Sequence, residues 1–188
     1  MRGFARSIVA LLIVLALAAC GAKGAPAAGE PAGETDNTAA AGAQDGGQEK
    51  QAGEVVIEVT PPEGWVKNEA SVLPVQYQKG TATFMVKEEA FSGETLDDVM
   101  SEALSMFEDT FQNFAVEAEP EALTIDGKDA RGVTFTCTVS GLEMKYRYVY
   151  LFAADRTYLI AFGDFAGTFD ELAGDYEAIL GNIRFAAQ

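Results

Sequence analysis

Three consecutive runs of alternating side chains between residues 133 and 162 constrain this chain most. In the first, Val133, Phe135, Cys137 and Val139 alternate with Thr134, Thr136, Thr138 and Ser140. A period of two sends successive side chains to opposite faces of a strand, whereas a helix would scatter them around its circumference. Gly141 turns the chain into a second run, in which Met144, Tyr146, Tyr148, Tyr150 and Phe152 alternate with Lys145, Arg147, Val149 and Leu151. Asp155-Arg156 turns it again into Tyr158-Leu159-Ile160-Ala161-Phe162. Three strands joined by tight turns predict an antiparallel meander. Val149 and Leu151 are apolar opposite Tyr148 and Tyr150, so this sheet needs cover on both faces.

The flanking segments supply that cover. Val55 to Val59 reads as a first strand, broken by Pro61-Pro62-Glu63-Gly64 before Trp65. Val72 to Tyr77 and Ala82 to Val86 read as a strand pair across Lys79-Gly80. Thr95 and Asp98 have capping-box spacing at the start of a helix over 95–113. Leu96, Val99, Met100, Ala103, Leu104, Phe107, Phe111 and Phe114 fall on one helical face, which core packing accounts for. Ala122 to Ile125 leads into the turn signal Asp126-Gly127. A second helix is predicted from Thr168, with Glu171 completing a capping box, Phe169, Leu172, Tyr176, Ile179, Leu180 and Ile183 on its inner face, and Gly181 at its end. Ile183-Arg184-Phe185 reads as a short terminal strand. Two main helices and about six antiparallel strands predict an α+β layered domain over residues 54–188.

The first 53 residues have a different character. Arg2 and Arg6 precede an apolar run from Ile8 to Ala19. That run falls short of the ~20 residues that span a bilayer, and its charge, length and small-residue ending fit a signal peptide over residues 1–19. It closes on Leu17-Ala18-Ala19-Cys20, which resembles the lipobox of bacterial lipoproteins. The resemblance implies a lipid on the Cys20 sulfur, cleavage that makes Cys20 the N-terminus, and a partner in the lipid bilayer on the extracytoplasmic face. After Cys20, residues 20–53 form a Gly/Ala/Pro/acidic tether with no aromatic and no Val, Ile, Leu or Met. Such a stretch cannot bury enough apolar surface to offset the entropy of ordering it. As a flexible coil it would span roughly 30 Å.

Charge and missing residue types narrow the chemistry. The chain carries 13 basic and 29 acidic residues, a formal net charge of −16. That disfavours nucleic acid and anionic lipid as direct partners and favours cation attraction, a basic partner or, first of all, a solvated acidic surface. The sequence contains no histidine, so it cannot build His-dependent nucleophile triads or the usual zinc sites. Cys137, on the apolar face of its strand, is expected to be a small buried hydrophobe. Glu117, Glu119 and Glu121 lack the Asp/Asn-Gly pattern of a calcium loop and read as a solvated connection. Neither metal nor cofactor is expected.

The order of elements, with its Pro62-Glu63-Gly64-Trp65 opening, the helix at 95–113, the Asp126-Gly127 hairpin, the Tyr-rich strand and the closing helix, resembles the PsbP-like domain shared with Mog-type proteins. The resemblance implies an αβα sandwich around an antiparallel sheet, used for docking onto other proteins rather than catalysis. The leading expectation is therefore a non-enzymatic binding module in the cell envelope. An alternative is a carrier of a small or apolar ligand in a groove near Trp65 and the Tyr146, Tyr148, Tyr150 strand. For these aromatics core packing is the first expectation. A third reading, a hydrolase using two carboxylates, requires two acids facing each other across a cleft at about 5–10 Å.

Overall fold

A computed structural model describes residues 55–187; the signal-peptide, Cys20 and tether readings lie outside the described residues. The main sheet has eight strands, all antiparallel: β2 (Val66–Lys67), β3 (Val75–Lys79), β4 (Ala82–Glu89), β5 (Gln112–Val116), β6 (Glu121–Ile125), β7 (Lys128–Val139), β8 (Leu142–Ala153) and β9 (Arg156–Phe165). Their spatial order is β2-β3-β4-β9-β8-β7, with β5 and β6 sharing the outer edge of β7. The predicted meander is β7-β8-β9, in register from Ala130↔Leu151 to Val139↔Leu142 and from Met144↔Phe165 to Ala153↔Arg156. A separate ribbon pairs β1 (Val55–Glu58) with the terminal strand β10 (Arg184–Ala187).

The sheet is the middle of three layers. Helix α1 (Leu96–Thr110) covers one face, where Val99, Met100, Ala103 and Phe107 pack on Phe135, Cys137, Tyr148 and Tyr150. The other face is covered by a 3-10 turn at Phe169–Leu172, helix α2 (Ala173–Asn182) and the β1–β10 ribbon. There Tyr176, Ile179, Ile183 and Phe185 pack on Phe84, Val149, Leu151 and Phe162. The chain is thus α+β with helices on both faces, as the double apolar alternation of β8 and β9 requires.

Local rules explain most boundaries. Thr95 and Asp98 form the capping box: Asp98 N–H donates to Thr95 Oγ1 at 3.1 Å and Thr95 N–H to Asp98 Oδ2 at 3.1 Å. Asp126 and Gly127 take φ of 52° and 70°, the left-handed pair that a two-residue hairpin needs.

Other boundaries depart from expectation. The sheet holds eight strands rather than about six, because β2 and β5 have no periodicity of their own to reveal them. Helix α1 stops at Thr110, and Phe114 belongs to β5, reached through a left-handed Asn113 (φ 53°) and a bulge against β7. Phe114 still meets Phe107 and Phe135, so the helical spacing and the strand serve the same core. Val72 lies outside β3 and is fully exposed. The capping box expected at Thr168 does not form: the hydroxyl donates instead to Asp164 Oδ2 at 2.8 Å, and residues 169–172 make a 3-10 turn. Helix α2 runs past Gly181 to Asn182.

Candidate functional site

The aromatics proposed for a ligand groove sit on opposite faces of the sheet. Trp65 belongs to the α2-side core and Tyr146, Tyr148 and Tyr150 to the α1-side core. No single groove contains all four, which corrects that expectation. Trp65 is 9% exposed and packs edge-on against Phe84 at 6.4 Å and tilted against Tyr176 at 6.2 Å. Its indole N–H donates to Asp175 Oδ2 at 2.8 Å, and Lys79 Nζ reaches the same oxygen at 2.7 Å. The Lys79 ammonium, followed by the indole N–H, holds the Asp175 carboxyl below its ordinary range against the opposing effect of burial. Gly64 precedes it with φ 92°, and a Cβ there would lie 3.2 Å from Lys79 Cε. The Gly-Trp pair is thus a structural anchor tying the first loop to α2.

The tyrosines are packed in the other core. Phe107 meets Tyr148 edge-on at 5.5 Å, Phe135 stacks on Tyr146 at 5.4 Å, and Phe91 meets Tyr150 edge-on at 5.5 Å. Burial drives all three phenols up: Tyr146, half-buried at the rim, to about 12, and Tyr148 and Tyr150 further. Burial likewise pushes the Cys137 thiol up to about 11, so it remains protonated and unreactive near neutral pH.

Sequence reasoning passed over Lys145 and Arg147. Both lie on the α2 face of β8, where the strand is covered on both sides. Lys145 Nζ is 2.9 Å from Glu117 Oε2 and 2.9 Å from Asp170 Oδ1 and sits over the Phe169 ring at 5.4 Å. Arg147 bonds Glu177 on α2 and Glu121 on β6, while its Nε is buried without a partner. Beside them Asp164, 2% exposed, accepts from Thr81 Oγ1 at 2.7 Å, Thr168 Oγ1 at 2.8 Å and its neighbour Phe165 N–H at 2.8 Å. The available signal was two cations at positions whose neighbours on the same face, Val149 and Leu151, are core. These groups staple layers together; each cation is already matched by two carboxylates.

Two clefts open at the N-terminal end of α1 and share Phe152. One, of about 540 Å³, is lined by Phe91, Gly93, Glu94, Asp155 and Thr157; the other, of about 350 Å³, by Thr95, Leu96, Asp129 and the Arg131–Asp97 ion pair. Gly93 permits the tight approach of this loop to the helix, since a Cβ there would fall 2.6 Å from Val99 N. Among the described residues no group of three or more His, Cys, Asp or Glu side chains is placed to hold a metal, and no helix is long and apolar enough to cross a membrane.

Comparisons with known proteins fit this architecture. No protein-family model matches the chain, and no curated protein matches it by sequence. Among solved structures it is similar to LpqN, involved in cell envelope biogenesis of Mycobacterium tuberculosis: 12% identity, TM-score 0.56, covering 73% of this chain and 87% of LpqN. It is also similar to PA94 of Pseudomonas aeruginosa, a protein of unknown function, at 14% identity and TM-score 0.48 over 69% of this chain and 81% of that one. The third is cyanobacterial PsbP (CyanoP) from Synechocystis, at 11% identity and TM-score 0.47 over 76% of this chain and 98% of that one. At such identity the likeness to LpqN establishes the fold alone, and the other two are too distant to argue from.

Proposed function

We propose that the protein is a lipid-anchored, extracytoplasmic docking module of the cell envelope, with a PsbP-like domain held on a tether and binding a protein partner without catalysis. Leu17-Ala18-Ala19-Cys20 at the end of a short apolar run carries the reading, because it accounts for the apolar run, the cysteine and the polar tether together. Attachment through two or more acyl chains is stable where a single chain binds marginally. The fold shared with LpqN, itself an envelope biogenesis protein, agrees with that address. Docking rather than ligand carriage is supported by the use of Trp65, Tyr148 and Tyr150 in packing, none more than 9% exposed. The anchor is tested by feeding labelled palmitate to cells making the full chain. Wild type is expected to incorporate label on a mature chain beginning at Cys20, and Cys20→Ala to incorporate none. Label retained by Cys20→Ala, or a wild-type chain that takes up none, refutes the anchor.

A further inference from the structure

The α1 layer leaves one end of the sheet partly open, with Val139 and Met144 half-buried at the margin of its core. Registers place Val139 opposite Leu142 and Met144 opposite Phe165 in the last rungs of β7, β8 and β9, on the face that α1 covers elsewhere. Leu142 is 47% and Phe165 37% exposed. Val116, opposite Phe135 on the same face, and Met106 on α1 are also exposed. By the same reasoning Val66, opposite Gln78, also lies on this face, so five of the six exposed large apolar residues among those described are on the α1 side, and of these Leu142 and Phe165 share the β7–β9 end.

Charge specifies what fits there. Gln112, two residues past α1, pairs with Thr138, which in turn pairs with Glu143, so the helix ends at the same end of the sheet as Leu142 and Phe165. The last turn of α1 carries Glu108 and Asp109 and no base, although a helix C-terminus is the negative pole and favours cations. Nothing within the helix offsets that arrangement. The two cations on this face of the sheet are already matched, Lys87 by Glu89 at 2.7 Å and Arg131 by Asp97 at 2.6 Å. We infer that this end of the α1 layer is the docking surface, and that its occupant is a basic amphipathic segment of a protein partner. The segment's apolar side chains cover Leu142 and Phe165 while its Lys and Arg meet Glu108, Asp109 and the α1 carbonyl pole. The inference rests on the docking reading above and adds the surface and the partner's chemistry.

The test uses the full-length lipidated protein in phosphatidylcholine vesicles and a fluorescent Leu/Lys amphipathic peptide, with protein-free vesicles as blank. Wild type is expected to bind the peptide, less tightly as salt rises, and to ignore a Leu/Glu counterpart. Leu142→Glu with Phe165→Glu should weaken binding about tenfold or more, as should Glu108→Lys with Asp109→Lys, while Val72→Glu leaves it unchanged. Leu142→Ser with Phe165→Ser provides a milder pair, and thermal unfolding verifies that every variant is folded. Equal weakening by Val72→Glu, or no weakening by the α1-layer variants, overturns the inference; so does peptide-independent docking of the domain onto vesicles through Leu142 and Phe165. In intact cells, photo-crosslinkers at 142 and 165 should capture a protein through a segment rich in Lys or Arg, and one at 72 should not. Capture only from other positions overturns this surface and leaves the docking reading standing; no capture from any position overturns the docking reading itself.

Discussion

The two faces of one sheet are packed on different principles. Under α1 the core is apolar and aromatic: Phe135, fully buried, has ring contacts with Phe107, Phe111, Phe114, Tyr146 and Tyr148. Under α2 and the β1–β10 ribbon, an equally buried set of aromatics adjoins Lys145, Arg147 and Asp164, and the layer is pinned by side-chain pairs from several elements. The ribbon is clipped by Asp126, whose Oδ2 accepts the Phe185 N–H at 2.9 Å and which pairs with Lys128 and lies 3.7 Å from Arg184. A layer held mainly by burial presents a stable platform, and a layer pinned by many directional pairs depends more on pH and salt. The partly open apolar end lies on the first kind of layer, and the β1–β10 ribbon on the second.

The sharpest break of the comparison is Phe135→Ala. It removes a fully buried ring that several others surround, and should cost about 3–5 kcal/mol in urea unfolding. Because the rings that surround Phe135 carry no charge, the loss should be the same at pH 4 and pH 7. A pH-dependent loss would mean that the α1 side is not the purely apolar core described.

Acid should act on the other face. The Phe185 N–H bond, assisted by Lys128 and Arg184 against the opposing effect of burial, holds the Asp126 carboxyl below its ordinary range. A carboxyl with a depressed folded pKa contributes stability that is present above its unfolded value and is lost as pH falls through the folded value. The ribbon should therefore loosen below about pH 4, read as faster exchange of the Phe185 amide while α1 amides stay protected. Asp126→Asn keeps an acceptor and tolerates the left-handed turn, so it isolates the charge: a loss of about 1 kcal/mol and a flatter acid response are expected. Equal acid loosening of α1 and the ribbon would erase the distinction between the faces.

How much of this was legible in the sequence follows from the range of each interaction. The β7-β8-β9 meander and the double cover of its sheet were written in period-two alternation, and the start of α1 in Thr95 and Asp98, because those signals act within a few residues. Phe111 and Phe114 misled because helical and strand spacing deliver both rings to the same core. Thr168 and Glu171 have the letters of a capping box, but Asp164, held by Thr81 from across the sheet, claims the hydroxyl. Strand β2 has two exposed residues and no pattern to read. The roles of Trp65 and Arg147 depended on α2, more than 25 residues away in sequence in each case, and no local pattern announces such a partner.

Tyr176→Phe is the smallest effect and the finest probe of the α2 face. The ring packs against Phe162 at 4.6 Å and Phe169 at 4.9 Å, and both contacts survive the change. The hydroxyl is buried without a hydrogen-bond partner, and burial together with the nearby carboxylates Asp164, Asp175 and Asp170 drives its pKa upward. Those carboxylates are engaged elsewhere: Asp164 by two threonines and a backbone N–H, Asp175 by Trp65 and Lys79, Asp170 by Lys145. A buried polar group left without a partner costs about 1–3 kcal/mol, so removing the oxygen should leave stability unchanged or raise it by about 1 kcal/mol. Tyr150→Phe, under α1, supplies the reference for the other face. If Tyr176→Phe instead destabilised by about 1 kcal/mol or more, its hydroxyl would belong to the polar network of Lys145 and Asp164. The α2 face would then be a hydrogen-bonded layer that includes Tyr176 rather than an apolar core with polar groups set into it.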